Sequence, residues 1–168
     1  MKIILVLSIF FLSFLTKTFG QDEKFKALFM YNFTKNIDWP SGMKSGNFVI
    51  GVLGESSIAK EMKIIGEKKK IGNQNLVVIS YKNVNEIGDC HIVFVSAGKC
   101  KDFSSLLTKC SVKNILIISE KEGAIQMGAG INYVKDGNKI KFEINPKNIE
   151  KYGLKVSTSL IQLGMIVQ

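Results

Sequence analysis

The stretch HIVFVSAGKCKDFSSLLTKCSVKNILIIS, residues 91–119, decides the fold class. Its two ends, HIVFVS (91–96) and NILIIS (114–119), are short, β-branched and apolar at successive positions. A strand with one wet face alternates apolar and polar residues, whereas a continuous apolar run predicts a strand covered on both faces, as in a parallel sheet between layers of helix. The intervening CKDFSSLLTK (100–109) has helical spacing. The stretch therefore reads as strand, helix and parallel strand.

Working outward, NFVIGVLG (47–54) and NLVVISY (75–81) are further buried-type strands, and ESSIAKEMKIIGE (55–67) spaces Ile58, Met62 and Ile65 as a helix does. GINYVKDGNKIKFEIN (130–145) changes character: two alternating runs flank Asp136-Gly137-Asn138, a hairpin turn signal. The expected class is α/β, a mostly parallel central sheet flanked by helices, with an antiparallel C-terminal hairpin at one edge. DEKFKALFMYNFTKNID (22–38) predicts an opening helix with Phe25, Leu28, Phe29, Tyr31, Phe33 and Ile37 on a broad apolar face. Trp39-Pro40 ends it, because proline restricts the residue before it and cannot continue a helix. Asn145-Pro146 reads as a cap followed by proline at the first helical position, and GLKVSTSLIQLGMIV (153–167) as a closing helix.

The N-terminus bears on compartment. Met1-Lys2, the thirteen-residue apolar run IILVLSIFFLSFL and the polar TKTFG before Gln21 have the order of a secretory signal peptide. The run is short for a membrane span. We expect residues 1–20 to be a signal peptide cleaved near Gly20, and residues 21–168 to be one exported, periplasmic domain. Without Lys2 and Lys17, 21 lysines face 14 acids. No arginine is present to make bidentate contacts with phosphate or guanine, and the lysines are scattered apart from EKKK (67–70). A nucleic-acid partner is not expected.

All three cysteines, Cys90, Cys100 and Cys110, lie in and beside the opening stretch at ten-residue intervals, with His91 adjacent to the first. Zinc sites present ligand pairs from one knuckle, about two to four residues apart, so this spacing does not suit a metal. His91, near the start of a buried-type strand, is also poorly placed to activate a thiol, since such sheets work at the C-terminal ends of their strands. A six-residue strand climbs about 20 Å and a ten-residue helix returns about 15 Å, which brings Cys90 and Cys110 to one edge of the sheet and Cys100 to the other. Of the possible bonds only Cys90–Cys110 is then within reach. The alternative is three free buried thiols.

These segments, in this order, resemble the YfiR-like family of periplasmic proteins. KALFMYNFTKNIDWP (26–40) is similar to its opening helix ending in Trp-Pro, CHIVFVS (90–96) to a central strand, NILIISEKEGAIQMGAGINYVKDGNKIKFEIN (114–145) to its glycine and hairpin region, and GLKVSTSLIQLGMIV to its last helix. The resemblance implies regulation by binding. The expected partner is the sensory domain of a membrane diguanylate cyclase or histidine kinase, the expected state is a homodimer, and no enzyme activity, cofactor or metal is implied. Where the family's redox-linked cysteines are associated with the segment before the hairpin, GAIQMGAGINYV (123–134) has none.

Glu120 and Glu122, beyond the strand NILIIS, together with Met127 and Tyr133, are the candidate partner or ligand surface. Trp39, Pro40 and Asn145 are read as structural, Trp39 as a core plug. Gly128 and Gly130 are a lone G-x-G without a following helix, a weak anion signal. A different class of function is a periplasmic small-ligand binding protein, with its cleft near Gly54, Ser96 and Glu120.

Overall fold

The computed structural model describes residues 20–168, apart from the side chains of Cys100 and Asp102. The expected signal peptide, but for Gly20, lies outside the described residues. The chain is helical from residue 20 to 36 (α1) and then runs through β1 (Ile37–Asp38), β2 (Asn47–Leu53), α2 (Ile58–Lys68), β3 (Lys70–Ile71), β4 (Gln74–Tyr81) and β5 (Ile92–Val95). It continues with α3 (Phe103–Lys113), β6 (Leu116–Ser119), β7 (Ile131–Asp136), β8 (Lys139–Ile144), α4 (Pro146–Lys151), β9 (Lys155–Val156), α5 (Thr158–Leu163) and β10 (Met165–Ile166).

Among the described residues the main sheet has eight strands in the order β10-β8-β7-β6-β5-β2-β4-β3. Its centre is parallel: Ile50 of β2 pairs with Val78 of β4 and Ile92 of β5, and Ile92 pairs with Leu116 of β6. Every residue of β5 and β6 is buried, the outcome of apolar side chains on both faces meeting helices on both faces. The expected α/β class is thus the one observed. The β7–β8 hairpin lies toward one end, Asp136 paired with Lys139 across Gly137 at φ 57°, and β10 adds in parallel beyond β8. At the other end β3 and β4 form a second hairpin around Gly72-Asn73, with Gly72 at φ 55°.

α1 lies across the hairpin end. Ala27, Met30, Phe33 and Thr34 recur at helical spacing and are buried, and the Phe33 ring packs edge-on to Phe142 of β8 at 4.8 Å and stacks on Tyr133 of β7 at 6.0 Å. The helix stops at residue 36 rather than at Trp39-Pro40, because Ile37 and Asp38 pair as β1 with Val156 and Lys155. Trp39, just beyond β1, is buried against Phe48 and His91, and its indole N–H donates to the Thr34 carbonyl at 3.3 Å. Asn145 caps α4 by accepting from the Asn148 N–H, with Pro146 at the start of the helix.

The closing segment departs from the helix predicted over 153–167. Lys155 and Val156 pair antiparallel with Asp38 and Ile37 as a separate two-stranded sheet, and the Ser157 side chain then caps the six-residue α5. Gly164 ends it where the chain comes so close to β8 that an added Cβ would be 2.6 Å from Phe142. Leu154 and Leu160 suit a helix or these shorter pieces equally well, and pairing with β1 and β8 selected the pieces.

The two thiols of the expected bond lie close together. Cys90 and Cys110 are both buried and near enough for charge on Cys110 to act on Cys90, as the strand and helix lengths required. They are unbonded in this structure. Segment length controls proximity, whereas closure of a bond depends on an oxidant. Burial pushes both thiols up to about 12, helped at Cys90 by the neighbouring Cys110 and Asp89.

Candidate functional site

In a sheet of this kind, loops beyond the C-terminal ends of the parallel strands are the natural place for a site, since the helices leave that edge open. Glu120 follows β6 directly, and Lys26 reaches it from α1 at 2.7 Å. Lys26 also bonds Glu23, one helical turn earlier, at 2.7 Å. Burial works against the Lys26 ammonium, but its hydrogen bonds to Glu120 and Glu23 outweigh that cost and hold its pKa above the ordinary value. Lys135 of β7 pairs with Asp22 at 2.6 Å, and Ser56 donates to Glu23 at 3.4 Å.

This network separates two cavities. One, of about 420 Å³, is lined by Lys26, Glu120, Glu122, Asn132, Tyr133 and Glu143 among others. The second, of about 340 Å³, lies toward Glu55 and Ser57 at the end of β2. Register explains the first: Asn132 of β7 pairs with Glu143 of β8 and with Ser119 of β6, so a polar pair emerges beside the loop that carries Glu120. The Asn132 side-chain N–H donates to the Glu143 carboxylate at 3.0 Å. Tyr133 points the other way, as alternation in a strand demands, and its hydroxyl donates to the Lys26 carbonyl at 2.7 Å. Its complete burial pushes the phenol well above its usual range.

Of the four surface candidates, Glu120, Glu122 and Tyr133 therefore meet at one cavity, and Tyr133 does so as a buried support. Met127 is elsewhere, half-buried in a separate cavity with Leu107, Gly128 and Tyr152. Lys26, Asn132 and Glu143 were not singled out from sequence. Their signal was faint: Asn132 is a polar residue inside an otherwise apolar run, at a position whose burial only the neighbouring strands determine.

The other sequence candidates resolve into packing. Gly128, at φ 112°, would bring a Cβ 2.6 Å from Leu107, and a Cβ on Gly130 would lie 2.8 Å from both Ile149 and Leu116, so the G-x-G admits close neighbours. The loop is tied to α4, where the Asn148 amide donates to the carbonyls of Ile125 and Ala129 at 2.9 Å each. At the crevice where the strand order reverses, between β2 and β5, a Cβ on Gly54 would meet Ser96 Oγ at 2.3 Å and Lys99 Cγ at 2.6 Å. Space at this edge lies instead beside Glu120. His91 is at the opposite edge, its Nδ1 accepting from the Val49 N–H at 3.1 Å and its Nε2 2.7 Å from the Met43 carbonyl. Those two bonds make it a neutral, satisfied core histidine, and burial lowers its pKa.

A second surface is apolar. Phe29, Phe33, Phe142, Leu160, Leu163 and Met165 line a groove of about 400 Å³ between α1 and the C-terminal segment. Leu163 is 76% exposed, and Phe25, Leu28, Met165 and Ile166 also face solvent.

The α/β domain thus combines an ion-paired, cavity-bearing sheet edge with a separate exposed apolar groove. The chain matches the model of the YfiR/HmsC-like family over residues 23–165, and it belongs to that family. The family is one of periplasmic signalling regulators rather than catalysts. A search of curated proteins found no match. No helix among the described residues is long and apolar enough to cross a membrane.

Proposed function

We propose that this protein is a periplasmic regulator that binds the sensory domain of a membrane diguanylate cyclase or histidine kinase and modulates its output, acting as a homodimer. Family membership over residues 23–165 carries this reading. The exposed apolar groove supports it. Side chains such as Leu163 and Ile166 cost free energy in water, and a partner that covers them recovers roughly 25 cal/mol for each Å² of apolar surface buried.

The test is a crosslinked pull-down with the tagged full-length chain expressed in its native envelope, followed by mass spectrometry. The expected result is one membrane cyclase or kinase, with recovery lost in Leu163→Glu. Repeated captures that return no membrane signalling protein would overturn the reading. Light scattering of the purified protein tests the dimer.

A further inference from the structure

The positive charge of this chain is unevenly neutralised. Lys26, Lys44, Lys113, Lys135 and Lys141 each stand in an ion pair. Among the described residues Lys24 and Lys35 of α1 have none, and neither do Lys68, Lys69 and Lys70, the run that joins α2 to β3. The two acids of α1 are engaged elsewhere, Asp22 with Lys135 and Glu23 with Lys26.

Packing brings the free lysines to one place. The Tyr31 hydroxyl donates to the Lys70 carbonyl at 3.2 Å, which fixes the corner between α2 and β3 against α1. Lys35 Nζ then lies 4.3 Å from the centre of the Tyr31 ring and Lys69 Nζ 5.5 Å. The electron-rich ring favours each ammonium. Two like charges held at one ring also repel each other, and negative charge brought up to both relieves that repulsion.

The same helix carries large apolar side chains into solvent. Lys24, Leu28 and Lys35 recur at intervals of four and seven residues, so they share one face, and Phe25 borders it. Phe25 is 47% and Leu28 48% exposed, and neither lines the groove between α1 and the C-terminal segment. A helix face that mixes such side chains with lysines suits a membrane interface, where the apolar groups enter the acyl boundary and the ammonium groups stay among the phosphates. A small soluble anion would leave Phe25 and Leu28 in water. The lack of arginine fits as well, since a lipid surface is a diffuse negative field that calls for mobile point charges rather than planar, bidentate donors.

We propose that the outer face of α1, with the adjoining Lys69, docks on an anionic phospholipid bilayer, Phe25 and Leu28 entering the headgroup boundary and Lys24, Lys35 and Lys69 pairing with lipid phosphates. This inference goes beyond the regulatory reading and does not depend on it. Phe29 and Phe33 line the groove from the other flank of α1 to Tyr31, so lipid contact and partner contact use different side chains.

Vesicles free of any other protein test it. The purified exported protein is sedimented with phosphatidylcholine vesicles containing about 30% phosphatidylglycerol, and with pure phosphatidylcholine, at about 0.1 and 0.5 M salt. Binding to the anionic vesicles is expected, weaker at the higher salt. Lys24→Gln, Lys35→Gln and Lys69→Gln together should weaken it about a hundredfold, at about fivefold per lysine. Lys101→Gln, Lys147→Gln and Lys151→Gln remove the same charge at exposed positions before α3 and on α4, and should change it less than about threefold. Phe25→Ser with Leu28→Ser, a second variant altered only at exposed positions, should weaken it about tenfold. No binding to anionic vesicles at about 1 mM lipid, equal binding to neutral vesicles, or equal loss in the two lysine triples overturns the proposal. Full affinity in the serine variant overturns the docked orientation. If the vesicles are not bound and the first triple nevertheless abolishes capture of a membrane protein, the face belongs to an acidic protein surface instead.

Discussion

Lys26 on α1 and Glu120 beyond β6 stand 94 positions apart in the chain and meet with Nζ 2.7 Å from Oε2. The lysine is nearly enclosed, its side chain 11% exposed, and Glu23 completes the group. Lys26→Met removes the shared cation and leaves two half-buried carboxylates beside each other. The expected loss of stability is roughly 1–3 kcal/mol, below that of a fully buried pair because water reaches both acids. Urea unfolding at low and high salt checks this, with the loss smaller at high salt. An unchanged midpoint would mean that the network contributes nothing to stability.

His91 predicts a pH dependence. Burial depresses its folded pKa below the ordinary 6.5, so the unfolded chain binds the proton more readily. Stability from this group is therefore present above pH 6.5 and is lost as pH falls from there through the folded value. Thermal midpoints measured between about pH 5 and 8 should decline on the acid side, and His91→Gln should flatten that part of the curve. An equal slope in the variant would assign the acid sensitivity to other groups.

For the thiols, a disulfide oxidant such as oxidised glutathione should join Cys90 to Cys110, the two thiols losing two electrons and two protons as glutathione is reduced. Both thiols are pushed up to about 12, so at neutral pH little thiolate exists and closure is slow, accelerating about tenfold per pH unit below that value. Peptide mapping without reductant measures the product and its rate. A bond to Cys100 instead would show that the pairing is not set by the shared edge of the sheet.

Asn148→Ala removes both amide bonds to the carbonyls of Ile125 and Ala129. Two buried acceptors lose their donor, at an expected cost of about 2–4 kcal/mol. Hydrogen exchange should rise first in residues 123–130, because this anchor is local to that loop. Exchange that rises equally throughout the chain would instead make Asn148 part of the global core.

The strands at 47–54, 91–96 and 114–119 were legible because a strand covered on both faces leaves a continuous apolar run, a signal that needs no knowledge of its neighbours. NLVVISY was legible as a strand but not as a covered one, since β4 lies next to the edge strand β3 and its residues 77–80 are half-buried or exposed. The β7–β8 hairpin was legible for a similar reason, a local turn between alternating runs. The closing segment was not. Its apolar spacing fits a helix, and its actual form comes from pairing Val156 with Ile37, 119 residues earlier, and Met165 with Glu143.

The same division holds at the site. Glu120 could be placed beyond the strand NILIIS because a carboxylate after a buried parallel strand emerges at the C-terminal edge. Lys26 and Glu143 are common surface residue types whose meaning depends on what stands opposite them, as does Asn132 in its strand. By itself the sequence determined the alternation of strands and helices, since hydrophobic periodicity is local. Only the tertiary structure decided which charges became paired and which thiols came to rest together, because burial and pairing belong to segments that meet across the sheet.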